Sequence, residues 1–257
     1  MDWSAFDAAL IRSTWDYHDV VDDFLAWVRR AAQATRLHNP VRLIEWNAHK
    51  RYLVDLEAAG LPVVPTALVT RADPESMTNI ADRRGWSAVV VKPAVSAGAK
   101  ATGRYDVGDP AGERALRGVL ATGDALVQPY LTEVESHGET SLVVIGGHVT
   151  HAVSKLPSTG DFRVQAHFGG AERAVEPTPS EKELAGQALA AVSPFGPVTY
   201  ARVDCVTVDG QPRLMELEVI EPALYLSFGP MSAADRLIAQ VARGTTAGAT
   251  PVADSTS

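Results

Sequence analysis

The chain has 257 residues, 46% of them apolar, enough to build one large core or two smaller ones. Its formal charge of −8 argues against a general nucleic-acid binder, which needs a basic surface to neutralise phosphates. A lone cysteine, Cys205, excludes an internal disulfide and any multi-cysteine zinc site and fits a reducing compartment such as the cytoplasm.

The opening "MDWSAFDAALIRSTWDY" lacks the basic head and long apolar run of a secretory signal. No stretch reaches the ~18 apolar residues of a membrane span, so neither a membrane nor a nucleic acid is expected as a partner. "DAALIRST" predicts a short strand with no partner strand before it. A helix follows, with Val21, Phe24, Leu25 and Val28 on one stripe. "NAHKRYLVDLEAAG" predicts one helix, with Asn47 as N-cap and Gly60 as stop. "PVVPTALVT" is extended, and "DPESMTNIADRRG" predicts a short helix with Pro74 in its first turn. "SAVVVKP" and "ALVQPYL" read as strands, with the helical "DPAGERALRGVLAT" between them.

From Glu139 the pattern turns mostly to strands. "TSLVVIGGHVTHAVSKL" splits at Gly146-Gly147 into a hairpin, and "FRVQAHF" predicts a third strand. "SEKELAGQALAAV" carries a capping-box spacing, Ser180 with Glu183. The hairpin "RVDCVTVDGQPRLMELEV" and the closing helix "SAADRLIAQVARG" follow, then a small, polar tail expected to be disordered. Helices mixed with antiparallel pairs predict an α+β body of two lobes.

The last hairpin carries the strongest chemical signal. Side chains alternate along a strand, so Glu216 and Glu218 share a face. A two-residue Asp209-Gly210 loop sets Asp204 against Met215, whereas a three-residue Asp209-Gly210-Gln211 loop sets it against Glu216. The second register gathers the acids, and we expect it. Glu221 lies just beyond. Buried carboxylates are costly unless paired or metal-bound, and hard cations such as Mg²⁺ take carboxylates together with nucleotide phosphates. The plainer reading is a solvated edge hairpin with Arg202 paired to Glu218.

Cations stand elsewhere. Lys92 ends a strand and is followed by "AVSAGAKATG", a small-residue loop whose N–H groups can approach an anion. It is not the Walker pattern. Lys50 alone reads as a surface lysine. Lys155, Arg163 and Gln165 fall on successive predicted strands, where a basic pair can clamp phosphate or carboxylate; a surface hairpin with charged flanks explains them about as well.

Taken in order, "NAHKRYL", "VVVKPAVSAG", "VQPYL", "GETSLVVIGG", "KLPSTGDFRVQ", "RVD" and "MELEVIEP" resemble an ATP-grasp ligase of the glutathione-synthetase-like branch, from about Arg12 to Gly229. "RSTWDY", "WN-x-x-KRYL" and "MELEVIEP" most resemble the O-ureido-D-serine cyclo-ligase group. The resemblance implies an ATP-grasp fold with ATP between two α+β lobes. It implies that Lys50 and Lys92 contact the phosphates and that Gln128, Tyr130 and Leu131 form the adenine hinge. Glu139 would meet the ribose, and Asp204, Glu216 and Glu218 would hold magnesium. Arg163 would face the transferred phosphate or an acyl-phosphate, with Lys155 beside it as a catalytic cation.

Two departures stand out. Many members have Asn where Glu218 stands, which makes this site more anionic. The resemblance also implies a fuller Rossmann-like N-terminal domain, of which residues 1–40 hold only the last strand and helix. Residues 41–243 would be the ATP-grasp domain and 244–257 a disordered tail. The N-terminal segment is expected to dock on the body or on a second copy, as a homodimer. The expected activity joins a small-molecule carboxylate, activated as an acyl-phosphate, to an amine-type nucleophile. The alternatives are an intramolecular cyclo-ligase acting on an O-ureido-serine-like substrate, and a nucleotide-binding module without turnover.

Overall fold

The computed structural model describes residues 1–158, 163–164 and 169–243. The tail expected to be disordered and most of "FRVQAHF", Gln165 included, lie outside the described residues.

The chain begins with a small parallel unit. Strand β1 (Ala8–Leu10) runs into helix α1 (Val21–Ala34) and returns beside itself as β2 (Arg36–His38). The partner of β1 therefore comes from after the helix, and the expectation of an unpaired strand is corrected. A three-residue strand reading Arg-Leu-His carries too little alternation to be seen. Helix α1 buries Phe24, Val28 and Ala31. Phe24 and Val28 pack with Ile11, Ile44 and Ile220 in one cluster, which seats this unit on the body.

The predicted helix from Asn47 is two helices, α2 (Val41–Asn47) and α3 (Tyr52–Ala58). Asn47 is not an N-cap; it is the last residue of α2. Its amide donates to the Leu217 carbonyl at 2.7 Å and accepts from the Val219 N–H at 3.2 Å. That bidentate grip on backbone outweighs a local cap because it satisfies two groups of a buried strand at once. Gly60 does follow α3, in the left-handed region at φ +89°.

The first lobe is a four-stranded antiparallel sheet in the order β3 (Ala67–Val69), β6 (Ala125–Pro129), β4 (Ala88–Pro93), β5 (Gly103–Asp106). Helices α4 (Met77–Arg84) and α5 (Pro110–Leu120) pack on it through a core that includes Met77, Ile80, Val89, Val91, Leu116 and Val127. Pro74 precedes α4 instead of sitting in its first turn. Ser76 is the cap, accepting the Asn79 N–H at 3.1 Å, as serine does at an N-cap.

A short helix, α6 (Thr132–His137), leads to the second lobe, which is a five-stranded antiparallel sheet. Its order is β11 (Gln211–Glu218), β10 (Tyr200–Val208), β7 (Glu139–Ile145), β8 (His148–Leu156), β9 (Ala171–Val175). Helix α7 (Pro179–Val192) covers one face, and α8 (Met231–Ala242) closes the described chain. The capping box of α7 is Thr178 with Glu181, two residues before the expected pair. Pro179 decides this, because its fixed φ and missing N–H suit the first helical position. The two sheets meet along a cleft.

Candidate active site

The acids are brought together by the β10–β11 hairpin. Val208 pairs with Gln211, so the turn holds two residues, Asp209 and Gly210. Both are left-handed, at φ +51° and +75°, as the tight hairpin turn requires. That turn alone would set Asp204 against Met215. A bulge opposite Asp204 and Cys205 corrects the count. Cys205 pairs with Leu214 and Asp204 with Glu216, which leaves Met215 as the extra residue. The expected register is present, but a two-residue turn plus a bulge produces it, in place of the three-residue loop.

One carboxylate oxygen from each of Asp204, Glu216 and Glu218 lies within 4.8 Å of the others. Three oxygen donors on two adjacent strands suit a hard divalent cation. The same acids are also tied to cations of the protein. Arg202 grips both Asp204 oxygens, Nη2 donating to Oδ2 at 2.9 Å, and also donates to Glu218. The pairing of Arg202 with Glu218 is therefore real, within a larger network. Lys155 pairs with Glu139 and lies 3.6 Å from Asp204. Burial pushes the Asp204 carboxyl up, but Arg202 and Lys155 outweigh it and hold it well below the usual range. Glu218 goes the other way. Burial, with the Glu216 and Asp204 charges, pushes it up to about 7 against the pull of Arg202. Where burial opposes ionisation of Glu216, the Lys50 and Lys92 charges prevail and lower it.

Lys50 sits between α2 and α3. Its Nζ donates to the Ser96 carbonyl at 3.0 Å and pairs with Glu216, and its N–H is anchored on Ala94 at 2.7 Å. It is a cleft lysine held by two elements, unlike the surface lysine its local sequence describes. Lys92 reaches the cleft from β4. Burial lowers its pKa, and Lys50 adds to this, against Glu216 and Glu139. Between the lysines runs the small-residue loop, with Gly98, Ala99 and Ala101 all left-handed. For alanine that conformation costs ~1–2 kcal/mol, and such strain collects at ligand sites. Lys100 ties the loop to Asp19 of the N-terminal segment at 2.5 Å.

At the other end, the buried Gln128 amide donates to Thr66 Oγ1 at 2.8 Å. The Tyr130 N–H donates to the Ala88 carbonyl at 2.9 Å, and Arg104 lies over its ring at 4.6 Å. Leu131 follows at the start of α6. Arg163 lies in neither a helix nor a strand, so its predicted strand position is not found. Lys50, Lys92, Gln128, Tyr130, Leu131, Glu139, Lys155, Arg163, Asp204, Glu216 and Glu218, each assigned to a site from the sequence, nonetheless line one cleft of about 660 Å³. Trp15, Tyr17, Glu221 and Tyr225 also line it. Local sequence assigned them no role, because none sits in a periodic pattern; only "RSTWDY" and "MELEVIEP" marked their neighbourhoods.

Comparison with known proteins agrees with this geometry. Residues 56–224 match the family model of the prokaryotic glutathione synthetase ATP-grasp domain, and residues 1–39 that of the N-terminal domain of D-cycloserine synthetase DcsG. The cycloserine biosynthesis protein DcsG of Streptomyces lavendulae is 36% identical over 244 residues, covering 89% of this chain and 80% of that protein. The crystal structure of D-cycloserine synthetase DcsG superposes with a TM-score of 0.84 at 34% identity, over 95% of this chain and 86% of that one. A D-alanine–D-alanine ligase from Bacillus anthracis, solved with ATP, shares the fold at a TM-score of 0.67 and 17% identity, over 94% of this chain and 79% of that one. No described helix is long and apolar enough to cross a membrane. The chain belongs to the ATP-grasp ligases of the glutathione-synthetase type, enzymes that form carbon–nitrogen bonds with ATP, and is homologous to the cyclo-ligase DcsG.

Proposed function

We propose that the cleft holds ATP and activates a carboxylate as an acyl-phosphate, which an amine-type nucleophile then attacks. The observation that carries this reading is the meeting of Asp204, Glu216 and Glu218 with Lys50 and Lys92 across one cleft. Lys50 and Lys92 bind the phosphates as point charges. Gln128, Tyr130 and Leu131 border the adenine, and Glu139 meets the ribose. The three acids suit magnesium by donor type and spacing, and the ion supplies charge neutralisation at the phosphoryl group.

The substrate carboxylate oxygen attacks the terminal phosphorus, and the bond to ADP breaks. The nucleophile's nitrogen then attacks the acyl carbon, loses a proton, and phosphate departs with the C–O bond. The protein contributes position and fixed charge to both steps. Lys155 serves as a charge clamp and not as a proton donor. Burial would lower its pKa, but Asp204 and Glu139 outweigh this and raise it. Arg163 also lines the cleft.

The test is ADP release across a panel of amino acids and other carboxylates, with and without hydroxylamine. Expected is carboxylate-dependent ADP release with hydroxamate formed when the trap is present. ATP binding without ADP release from any carboxylate would favour a binding module. Identity to DcsG supports a second reading, intramolecular closure of an O-ureido-serine-like substrate. That reading predicts a cyclic product from this substrate with no added amine.

A further inference from the structure

Beyond the phosphate-binding groups, the cleft contains a buried carboxylate with an unsatisfied oxygen. Glu221 is 8% exposed and lines the cleft. Its Oε2 is buried and has no hydrogen-bond partner. It stands outside the acid group that suits a metal, and no ion pair reaches it among the described residues. An unpaired buried carboxylate is costly, and a binding site is one place where such a cost is kept.

The fold holds this group in position. The Tyr200 hydroxyl reaches the carbonyl oxygens of both Ile11 and Ile220 at 2.9 Å. Arg12 and Glu221, the residues that follow just beyond β1 and β11, are thereby tied to one anchor. Arg12 lays its guanidinium over the Tyr200 ring, 5.5 Å from its centre, and keeps a buried Nη1 unpartnered. Burial pushes the Glu221 carboxyl up to about 8, and the Glu218 and Asp16 charges add to this against the pull of Arg202 and Arg12. Neither arginine forms an ion pair with it among the described residues, so an incoming ammonium would supply the charge that favours its ionised form. Trp15 and Tyr17 line the same cleft. Burial pushes the Tyr17 hydroxyl up, and the charges of Glu218, Glu216 and Glu221 add to this.

We propose that Glu221 is the ammonium-recognition residue of the substrate site, binding the α-ammonium of an amino acid whose carboxylate is activated. It rests on the acyl-phosphate reading for the fate of that carboxylate. The chemistry fits. A carboxylate in a cleft that aromatic side chains also line suits a primary ammonium. In an α-amino acid the ammonium nitrogen stands two bonds from the carboxyl carbon. Glu221 and the three clustered acids line the same cleft, so an ammonium held at Glu221 keeps its own carboxylate inside that cleft.

The test is calorimetric titration of alanine and serine, each as both enantiomers, into the protein loaded with magnesium and a non-hydrolysable ATP analogue. Propionate and 3-hydroxypropionate, the same acids without the ammonium, are titrated beside them. Expected is that at least one amino acid binds and that its deaminated counterpart binds on the order of tenfold or more weaker. Glu221→Gln should lose a similar factor for the amino acid and retain the ATP analogue, whose phosphates it does not face. Equal binding of the amino and deaminated acids, binding of none of the four amino acids, or an unchanged affinity in Glu221→Gln each overturns the proposal. If Glu221→Gln fails to fold, the wild-type comparison still decides. Loss of ATP-analogue binding in the wild type would defeat the ligase reading separately, and the same titrations without nucleotide would then judge Glu221.

Discussion

The two sheets that face each other across the cleft handle charge in opposite ways. The five-stranded sheet carries Glu139, Lys155, Arg202, Asp204, Glu216 and Glu218, and nearly every charge is already paired by a neighbour. The four-stranded sheet brings one lysine, Lys92, for which no ion pair is found among the described residues, and burial lowers its pKa. A paired network resists change when one ligand arrives, because each charge has another partner. A lone, partly desolvated cation gains most from an incoming anion. On the proposed acyl-phosphate reading, the acidic sheet is a preorganised platform, and the lysine sheet is the side that would respond to phosphate.

The largest effect tests the platform. Glu216→Gln removes one of the clustered oxygens and the partner of Lys50. ADP release should fall by roughly a hundredfold or more, the scale of losing a preorganised electrostatic group. The melting transition should persist, since Glu216 is only partly buried. Turnover at the wild-type rate would remove the acidic cluster from the mechanism.

Next comes the responsive side. Lys92→Met should weaken ATP about tenfold or more in calorimetry while leaving adenosine within about twofold, because lysine acts by charge at the phosphates. Equal losses for both ligands would mean that Lys92 supports the lobe and not the nucleotide.

A smaller effect follows from Glu218. Its pKa is raised from 4.5 to about 7 by burial and by Glu216 and Asp204. The folded state therefore holds more protons than the unfolded chain between these values. Stability contributed by this group is present below pH 4.5 and is lost as pH rises toward about 7. Without metal or nucleotide, melting temperature should decline more steeply across pH 5–7 in the wild type than in Glu218→Asn. His38 and His49, which burial lowers, work in the opposite direction in both proteins and cancel in the comparison. Equal slopes would show that Arg202 already keeps Glu218 ionised throughout.

The same contrast explains what the sequence could and could not reveal. The acids were legible because three carboxylates among apolar neighbours violate strand patterning, and such violations mark function. The two-lobe body was legible because most strands run long enough to show their alternation. Lys50 was legible only through the resemblance. Its setting between α2 and α3 depends on Ser96 and Glu216, both far away in the chain. Asn47 was misassigned because its real partners, Leu217 and Val219, lie on another element. Trp15, Tyr17 and Glu221 join the site only through packing of the N-terminal unit against Ile220, which no local pattern encodes.

The smallest effect concerns how the platform is registered. The turn and the bulge both act on the same hairpin, but only the bulge shifts the acids. Gly210 is left-handed at φ +75° with open space where a Cβ would stand, so Gly210→Ala meets no clash and incurs only backbone strain of ~1 kcal/mol. For a chain of this size that lowers the melting temperature by about 2–4 °C. Asp204 still faces Glu216, because Met215 remains the bulged residue and Leu214 and Leu217 remain fully buried. A slip of one residue would turn those leucines out of the core, at a cost well above the strain in the turn. ADP release in Gly210→Ala should therefore stay within about twofold of wild type while the melting temperature falls. A large loss of turnover with only this small loss of stability would mean that the turn sets the register of the acids, and that the bulge merely follows from it.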